Sequence, residues 1–250
     1  MEVEETLAGG NFGPVVRVGD TVRRETGPWT PAVHALLRHL EAAGFAEAPR
    51  VHGIDERGRE ILTFVEGEVP WPPPAWLWVE DATAWEAGAV ARRYHEAVAG
   101  FVPPAGVRWR IGAESGEVIC HHDIAPWNMI FRDRKPVALI DWDFAGPGTR
   151  LWDLAYAAWR FAPLYAPRGD DPPDVARSAR RLRLLCDGYG LERRDALLET
   201  VVARMQAMHD LLVDGRDAVT ARLVAEGHHR AALEDAAWVD AHAAELAAAL

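Results

Sequence analysis

Pro70, Pro72, Pro73 and Pro74 fall within one short stretch around Trp71. Each lacks a backbone N–H and has a fixed φ, so neither a helix nor a central strand can run through it. The stiff segment separates two unlike parts of the chain. Upstream, apolar residues come in short runs. Pro14 to Val18 and Thr21 to Arg24 read as a hairpin about Gly19-Asp20. Thr30-Pro31 opens a helix, with Thr30 as N-cap and Pro31 at the first helical position. Val33, Leu36, Leu37 and Leu40 share one face of it, and Gly44 ends it. Arg50 to Ile54 and Glu60 to Val65 read as two further strands. Downstream, Asp81 to Ala99 is helical. Short strands are expected at 118–120, 128–132 and 137–141, and beyond Gly146-Pro147-Gly148 helices are expected over 150–161, 173–189, 191–214 and 217–249. The order predicts an α+β fold in two lobes. Residues 1–66 form a small mixed β lobe, 67–80 the connection, and 81–250 a larger, mainly helical lobe holding one hairpin.

The 250 residues are enough to bury a proper core, and 49% are apolar and 26% charged, as in an ordinary globular protein. No apolar run approaches the ~20 residues that span a bilayer, and the acidic start, MEVEETLAGG, lacks the apolar core of a signal peptide. A cytoplasmic location without membrane attachment is expected. Cys120 and Cys186 are the only cysteines; they lie far apart and read as two buried thiols. A formal net charge of −11 disfavours nucleic acid as a partner and weakly favours a cationic small molecule.

The chemistry is concentrated in His121-His122-Asp123-Ile124-Ala125-Pro126-Trp127-Asn128 and Leu139-Ile140-Asp141-Trp142-Asp143. A carboxylate stands in a loop, a carboxamide closes the loop, and a second carboxylate comes after an apolar strand. The intervening hairpin can bring Asn128 and Asp141 side by side. Such oxygen ligands suit Mg²⁺, with substrate phosphates filling its other positions. Asp123 is then free to orient an attacking hydroxyl or accept its proton. Phosphoryl transfer needs this layout, because the protein's work there is positioning and charge neutralisation.

His121-x-Asp123-x-x-x-x-Asn128 resembles the catalytic loop of aminoglycoside phosphotransferases and related small-molecule kinases, the choline kinases among them. Ile140-Asp141-Trp142 resembles their metal-binding motif, the counterpart of the protein-kinase Asp-Phe-Gly segment. Gly146-x-Gly148 and Trp152-Asp153-Leu154-Ala155 are similar to the segment on the C-terminal side of that motif in the family. The resemblance implies a protein-kinase-like two-lobe fold, with Asp123 as catalytic base or positioning carboxylate and Mg²⁺ on Asn128 and Asp141. It implies that His121 braces the loop and that Asp153 is structural. Residues 61–67, ILTFVEG, look like the strand and hinge that grip the nucleotide base, so Phe64 and Val65 are expected at the base.

Kinases carry a lysine on the third strand, paired to a helix glutamate. The only lysine here is Lys135, in the wrong hairpin. Val22-Arg23-Arg24 occupies the expected strand, where Val22 and Arg24 share a face. Val22 would wall the base and Arg24 would reach the phosphates. Val33 or His34 stands where the helix glutamate is expected, so Arg24 is expected to lack its ion-pair partner. Gly9-Gly10-Asn11-Phe12-Gly13 can cover phosphates or simply turn a hairpin.

Other features have plainer readings. His121 and His122 lack the further ligands of a zinc hydrolase. Asp143 is an alternative to Asp141 as metal ligand. Trp71, Trp76, Trp78 and Trp85 could form a platform for a cation or pack the connection. Asp187, Asp210, Asp214 and Asp217 could receive an ammonium group or be surface acids. The expected activity is transfer of the γ-phosphate of ATP or GTP, with Mg²⁺, to a hydroxyl of a small amine-bearing acceptor. Aminoglycoside-type antibiotics lead that class, with other metabolites next. The alternative is a degenerate kinase fold that binds a toxin, drug or partner, as an immunity protein would, without turnover.

Overall fold

The structure is a computed structural model that describes residues 4–7, 13–168, 174–215 and 217–250. Of the expected phosphate-covering stretch, Gly9 to Gly13, only Gly13 is among the described residues. The chain packs into two units: residues 1–70, 93–123 and 127–149 form one, and residues 71–92, 124–126 and 150–250 the other.

The first unit begins with strands β1 (Glu5–Leu7), β2 (Val15–Val18) and β3 (Thr21–Arg24), helix α1 (Thr30–Ala42), and strands β4 (Val51–Ile54) and β5 (Glu60–Thr63). They form an antiparallel sheet in the order β1-β2-β3-β5-β4. β2 and β3 turn at Gly19, whose φ of 58° is one that glycine adopts without steric cost. Val33, Leu36, Leu37 and Leu40 are all buried, as their spacing requires. The helix entry differs from expectation: Trp29 is the N-cap, and the Thr30 hydroxyl instead accepts from the Gly27 N–H at 2.9 Å. The turn of chain ahead of the helix is thus tied down by a side chain one position later than expected.

Helix α2 (Ala75–Val79) comes after the prolines. Helix α3 (Asp81–Ala97) then supplies residues to both units. The rest of the first unit comprises β6 (Val118–Cys120), β7 (Met129–Arg132), β8 (Lys135–Leu139) and β9 (Gly146–Gly148). β7 and β8 form the expected hairpin. β9, which reads from its composition as a turn, pairs antiparallel with β6. The two ends of the segment from His121 to Ala145 are thereby held in one small ladder. Tyr94 of α3 is buried and donates its hydroxyl to the Ile119 carbonyl at 2.6 Å.

The second unit is helical: α4 (Arg150–Phe161), α5 (Val175–Tyr189), α6 (Leu197–Asp214), α7 (Ala218–Ala225), α8 (His228–Ala241) and α9 (Ala243–Ala248). The single helix expected over 217–249 is three, broken at Gly227 with φ 86° and at His242. Asp217 caps α7 by accepting from the Val219 and Thr220 N–H groups, and Asp187 pairs with Arg194 at 2.6 Å. Those two acids therefore have structural partners, while Asp210 and Asp214 are exposed. α3 and α5 approach backbone to backbone: a Cβ on Gly88 would stand 2.1 Å from the Leu185 carbonyl oxygen, and one on Gly188 would stand 2.0 Å from that of Trp85. Trp71 and Trp85 expose 64% and 43% of their surface. No helix among the described residues is long and apolar enough to cross a membrane.

Arg181 of α5 is fully buried. It donates to the carbonyls of Leu77, Trp78 and Glu80, to the Phe161 carbonyl and to the Thr83 hydroxyl, at 2.8–3.3 Å. The first three carbonyls belong to the C-terminal end of α2, where a helix has no internal donors left. Burial pushes the guanidinium pKa down to about 10, so the cation persists at neutral pH, solvated by carbonyl dipoles. Both cysteines are free and buried, and desolvation pushes the Cys186 thiol up to about 12. Arg181→Met removes every one of Arg181's hydrogen bonds, leaving the Leu77 carbonyl to the Thr83 hydroxyl and the Glu80 carbonyl to that hydroxyl and the Thr83 N–H. It is expected to cost at least about 3 kcal/mol in urea unfolding; a loss below about 1 kcal/mol would show that Arg181 is not the anchor of the α2–α3 corner.

Candidate active site

The loop after β6 is held by its own residues. His121 is fully buried, with its ring edge-on to Trp142 at 4.6 Å. Its Nδ1 accepts from the Asp123 N–H at 3.2 Å. The proton is then on Nε2, which donates to the Ile140 carbonyl at 3.1 Å. One imidazole thus ties the backbone of Asp123 to the residue before Asp141. Asn128 closes the loop from a single 3₁₀ turn, Pro126–Asn128. Its Nδ2 donates to the Asp123 carboxylate at 2.7 Å and to the Asp123 carbonyl at 3.0 Å. The Asn128 carbonyl also accepts from the Ile140 N–H at 2.8 Å. Asn128 therefore sits directly beside the strand that leads to Asp141, the adjacency that the hairpin spacing anticipates.

Asp141 has left-handed backbone, φ 62° and ψ 65°, and begins a second 3₁₀ turn, Trp142–Phe144. Such a conformation is costly for a residue with a Cβ and persists where neighbours impose it. Here Trp142 is buried, and its indole N–H donates to the Leu139 carbonyl at 2.9 Å. Desolvation pushes the Asp141 carboxyl up to about 6, against the pull of Arg24, and the charges of Asp143 and Asp123 push the same way as burial. The Asp123, Asp141 and Asp143 carboxylates therefore share one electrostatic neighbourhood.

Arg24 does have acidic partners, contrary to expectation. Its Nε lies 3.4 Å from Glu60, and its Nη2 lies 2.8 Å from Asp143 and 3.3 Å from Asp141. Burial alone would lower the guanidinium pKa, but the charges of Asp141, Asp143 and Glu60 outweigh it and the net shift is upward. Glu60 stands opposite Arg24 in the β3–β5 ladder, so the two side chains share a face. Glu60 is 2% exposed, and its second oxygen faces His34 Nε2 of α1 at 2.9 Å. His34 is one of the two helix residues, with Val33, that stand where a kinase glutamate is expected.

Glu60 is the residue that sequence reasoning missed. Its signal was present in the alternation of β5, but it depends on a pairing of strands far apart in sequence. Arg110 was also missed. Its guanidinium lies between the rings of Trp29 and Phe144, 4.4 and 4.8 Å from their centroids, and its charge acts on Asp141.

The residues expected at the nucleotide base lie on the strands that carry Arg24 and Glu60 or just beyond them. Val22 pairs with Leu62 of β5 on one side and with Arg17 of β2 on the other. Phe64 and Val65 come just after β5, with the Phe64 N–H donating to the Asp20 carbonyl at 2.8 Å. The Arg17 guanidinium stacks 3.8 Å from the centre of the Phe64 ring and pairs with Glu66 at 2.8 Å.

The donor set suits a hard cation. Both Asn128 bonds to Asp123 use the amide nitrogen, so its carboxamide oxygen is not committed to Asp123 and can serve a metal. No group of three or more His, Cys, Asp or Glu among the described residues is placed to enclose an ion. A cation held by Asn128 and Asp141 would complete its shell with phosphate oxygens and water, as Mg²⁺ commonly does.

Comparison with known proteins bears on the same segment. The model of the phosphotransferase enzyme family matches residues 77–197, which include the whole Asp123–Asp141 hairpin. The trifolitoxin immunity protein of Rhizobium leguminosarum bv. trifolii is 44% identical over 233 residues, covering 87% of this chain and 86% of that one. A choline/ethanolamine kinase family protein from Mesorhizobium loti has the same fold, with a TM-score of 0.60 and 19% identity over 99% of this chain and 92% of that one. So does the aminoglycoside phosphotransferase APH(2")-IIa in its ternary complex with streptomycin and ATP, with a TM-score of 0.58 and 13% identity over 93% of each chain. The fold is thus the protein-kinase-like one that the resemblance implied. The family model covers the Asp123–Asp141 segment and the solved structures share the fold, and the chain belongs to the APH phosphotransferase enzyme family.

Proposed function

We propose that this protein transfers the γ-phosphate of ATP or GTP to a hydroxyl of a small amine-bearing molecule. One observation carries the reading: Asn128 holds the Asp123 carboxylate at 2.7 Å, on a loop whose other end bonds the strand leading to Asp141. Asp123 is placed to accept the proton of the acceptor hydroxyl. The acceptor oxygen then forms its bond to the γ-phosphorus, the bond from that phosphorus to the bridging β–γ oxygen breaks, and the nucleoside diphosphate leaves. Asn128 and Asp141 would hold Mg²⁺, which offsets the charge of the phosphates when bound. Arg24 would meet the phosphates with its forked guanidinium, and Val22, Phe64 and Val65 would border the base.

The acceptor class rests on three supports. The acidity of the chain favours a cation, and similar folds include a phosphotransferase whose structure holds streptomycin. The 44% identical relative is named for immunity to a toxin, which favours a toxin or antibiotic over an ordinary metabolite. The same relative supports a second reading, in which the protein protects by binding alone. That reading leaves the Asp123–Asn128 clasp without a task.

Asp123→Asn is expected to lower γ-phosphate transfer from MgATP to an aminoglycoside panel by about 10²–10⁴-fold, with an unchanged melting temperature. A variant that transferred phosphate as fast as wild type would remove Asp123 from its catalytic role, whereas a protein that showed no transfer in either form yet protected a sensitive host equally well with and without the Asp123 carboxylate would be the binding-only one. Asp141→Ala is expected to abolish the Mg²⁺-dependent part of ATP and GTP affinity in calorimetry. Equal affinity with and without Asp141 would remove it from the metal site.

A further inference from the structure

Arg24 bonds to Asp141 and Asp143 through Nη2 and approaches Glu60 through Nε. The two ends of the guanidinium therefore answer to different elements. Held by the aspartates alone, the cation would sit over the carboxylate that a metal needs. Glu60 engages Nε from the neighbouring strand, so the Nη end can exchange the aspartates for a phosphate without losing that contact. Glu60 is itself fixed at both oxygens, one toward Arg24 and one against His34 of α1. A buried carboxylate is retained when it is paired in this way. Strand β3, strand β5 and helix α1 are joined by one line of side chains, Arg24–Glu60–His34.

We propose, resting on the phosphotransferase reading, that Glu60 and His34 position Arg24 for the nucleotide phosphates and so replace the strand-lysine, helix-glutamate pair that kinases use. In this arrangement the acid has moved from the helix to strand β5, and the helix contributes the histidine that orients it. On nucleotide binding the Nη fork leaves Asp141 for the phosphates while Nε keeps Glu60. Glu60 and His34 are positioning residues, because they act through Arg24.

The test is a double-mutant cycle on affinity for MgATP and MgGTP, measured by calorimetry on wild type, Arg24→Gln, Glu60→Gln and the double variant, with melting curves for each. Glu60→Gln keeps the side-chain shape and is expected to weaken binding on the order of tenfold, the worth of one charge-assisted contact. In the Arg24→Gln background it is expected to add nothing, because its effect passes through Arg24. His34→Leu is expected to weaken binding in the same direction, and His34→Gln, which keeps a donor for Glu60, to restore it. A Glu60 effect that is absent, or the same size with and without Arg24, overturns the relay. So does rescue by leucine as good as by glutamine. Asp141→Ala in the same titrations separates the two ideas: binding that depends on Asp141 but not on Glu60 defeats only the relay, whereas a folded wild type that binds no nucleotide defeats the phosphotransferase reading and the relay with it.

Discussion

The site is organised around one guanidinium. Arg24 faces Glu60, Asp141 and Asp143 within 3.4 Å, and an assembly of acids that dense is tolerable only with a cation at its centre. The contacts span strand β3, strand β5 and the turn after β8, so the ion-pair cluster joins the sheet to the hairpin that carries Asn128 and Asp141. Arginine suits the position better than lysine would, because its planar fork can engage separate acceptors along different edges. Among Arg24, Glu60, Asp141 and Asp143 the acids outnumber the base, and Asp123 acts on Asp141 as well.

Most of the structure around the cluster is scaffolding for the backbone of two residues. His121 bridges Asp123 and Ile140, and β9 closes on β6. Trp142 anchors the left-handed turn at Asp141 through the Leu139 carbonyl. Burial of His121 and Trp142 keeps water from competing for these bonds. The clasp between Asn128 and Asp123 fixes the carboxylate and the backbone of Asp123 together.

The chemistry was easier to read from the sequence than the packing. Asp123, Asn128 and Asp141 are close in sequence and joined by a hairpin, so local spacing was enough to bring them together. Glu60 required the non-local pairing of β3 with β5, with α1 and β4 between them in the chain. Where an acid was expected, α1 has Val33 and His34, and His34 is Glu60's own partner. β9 was hidden because Gly146-Pro147-Gly148 has the composition of a turn, while its geometry comes from pairing with β6. One helix was expected over 217–249, but the left-handed φ of 86° at Gly227 ends one helix and starts another.

The most direct test is a crystal structure of the protein with Mg²⁺ and a non-hydrolysable ATP analogue. The account expects the Arg24 guanidinium on the phosphates with its Nε still toward Glu60, the ion on Asn128 and Asp141, and Asp123 facing the γ-phosphate. An analogue bound elsewhere, or Arg24 still seated on Asp141 and Asp143 with the ion away from Asn128, would contradict it.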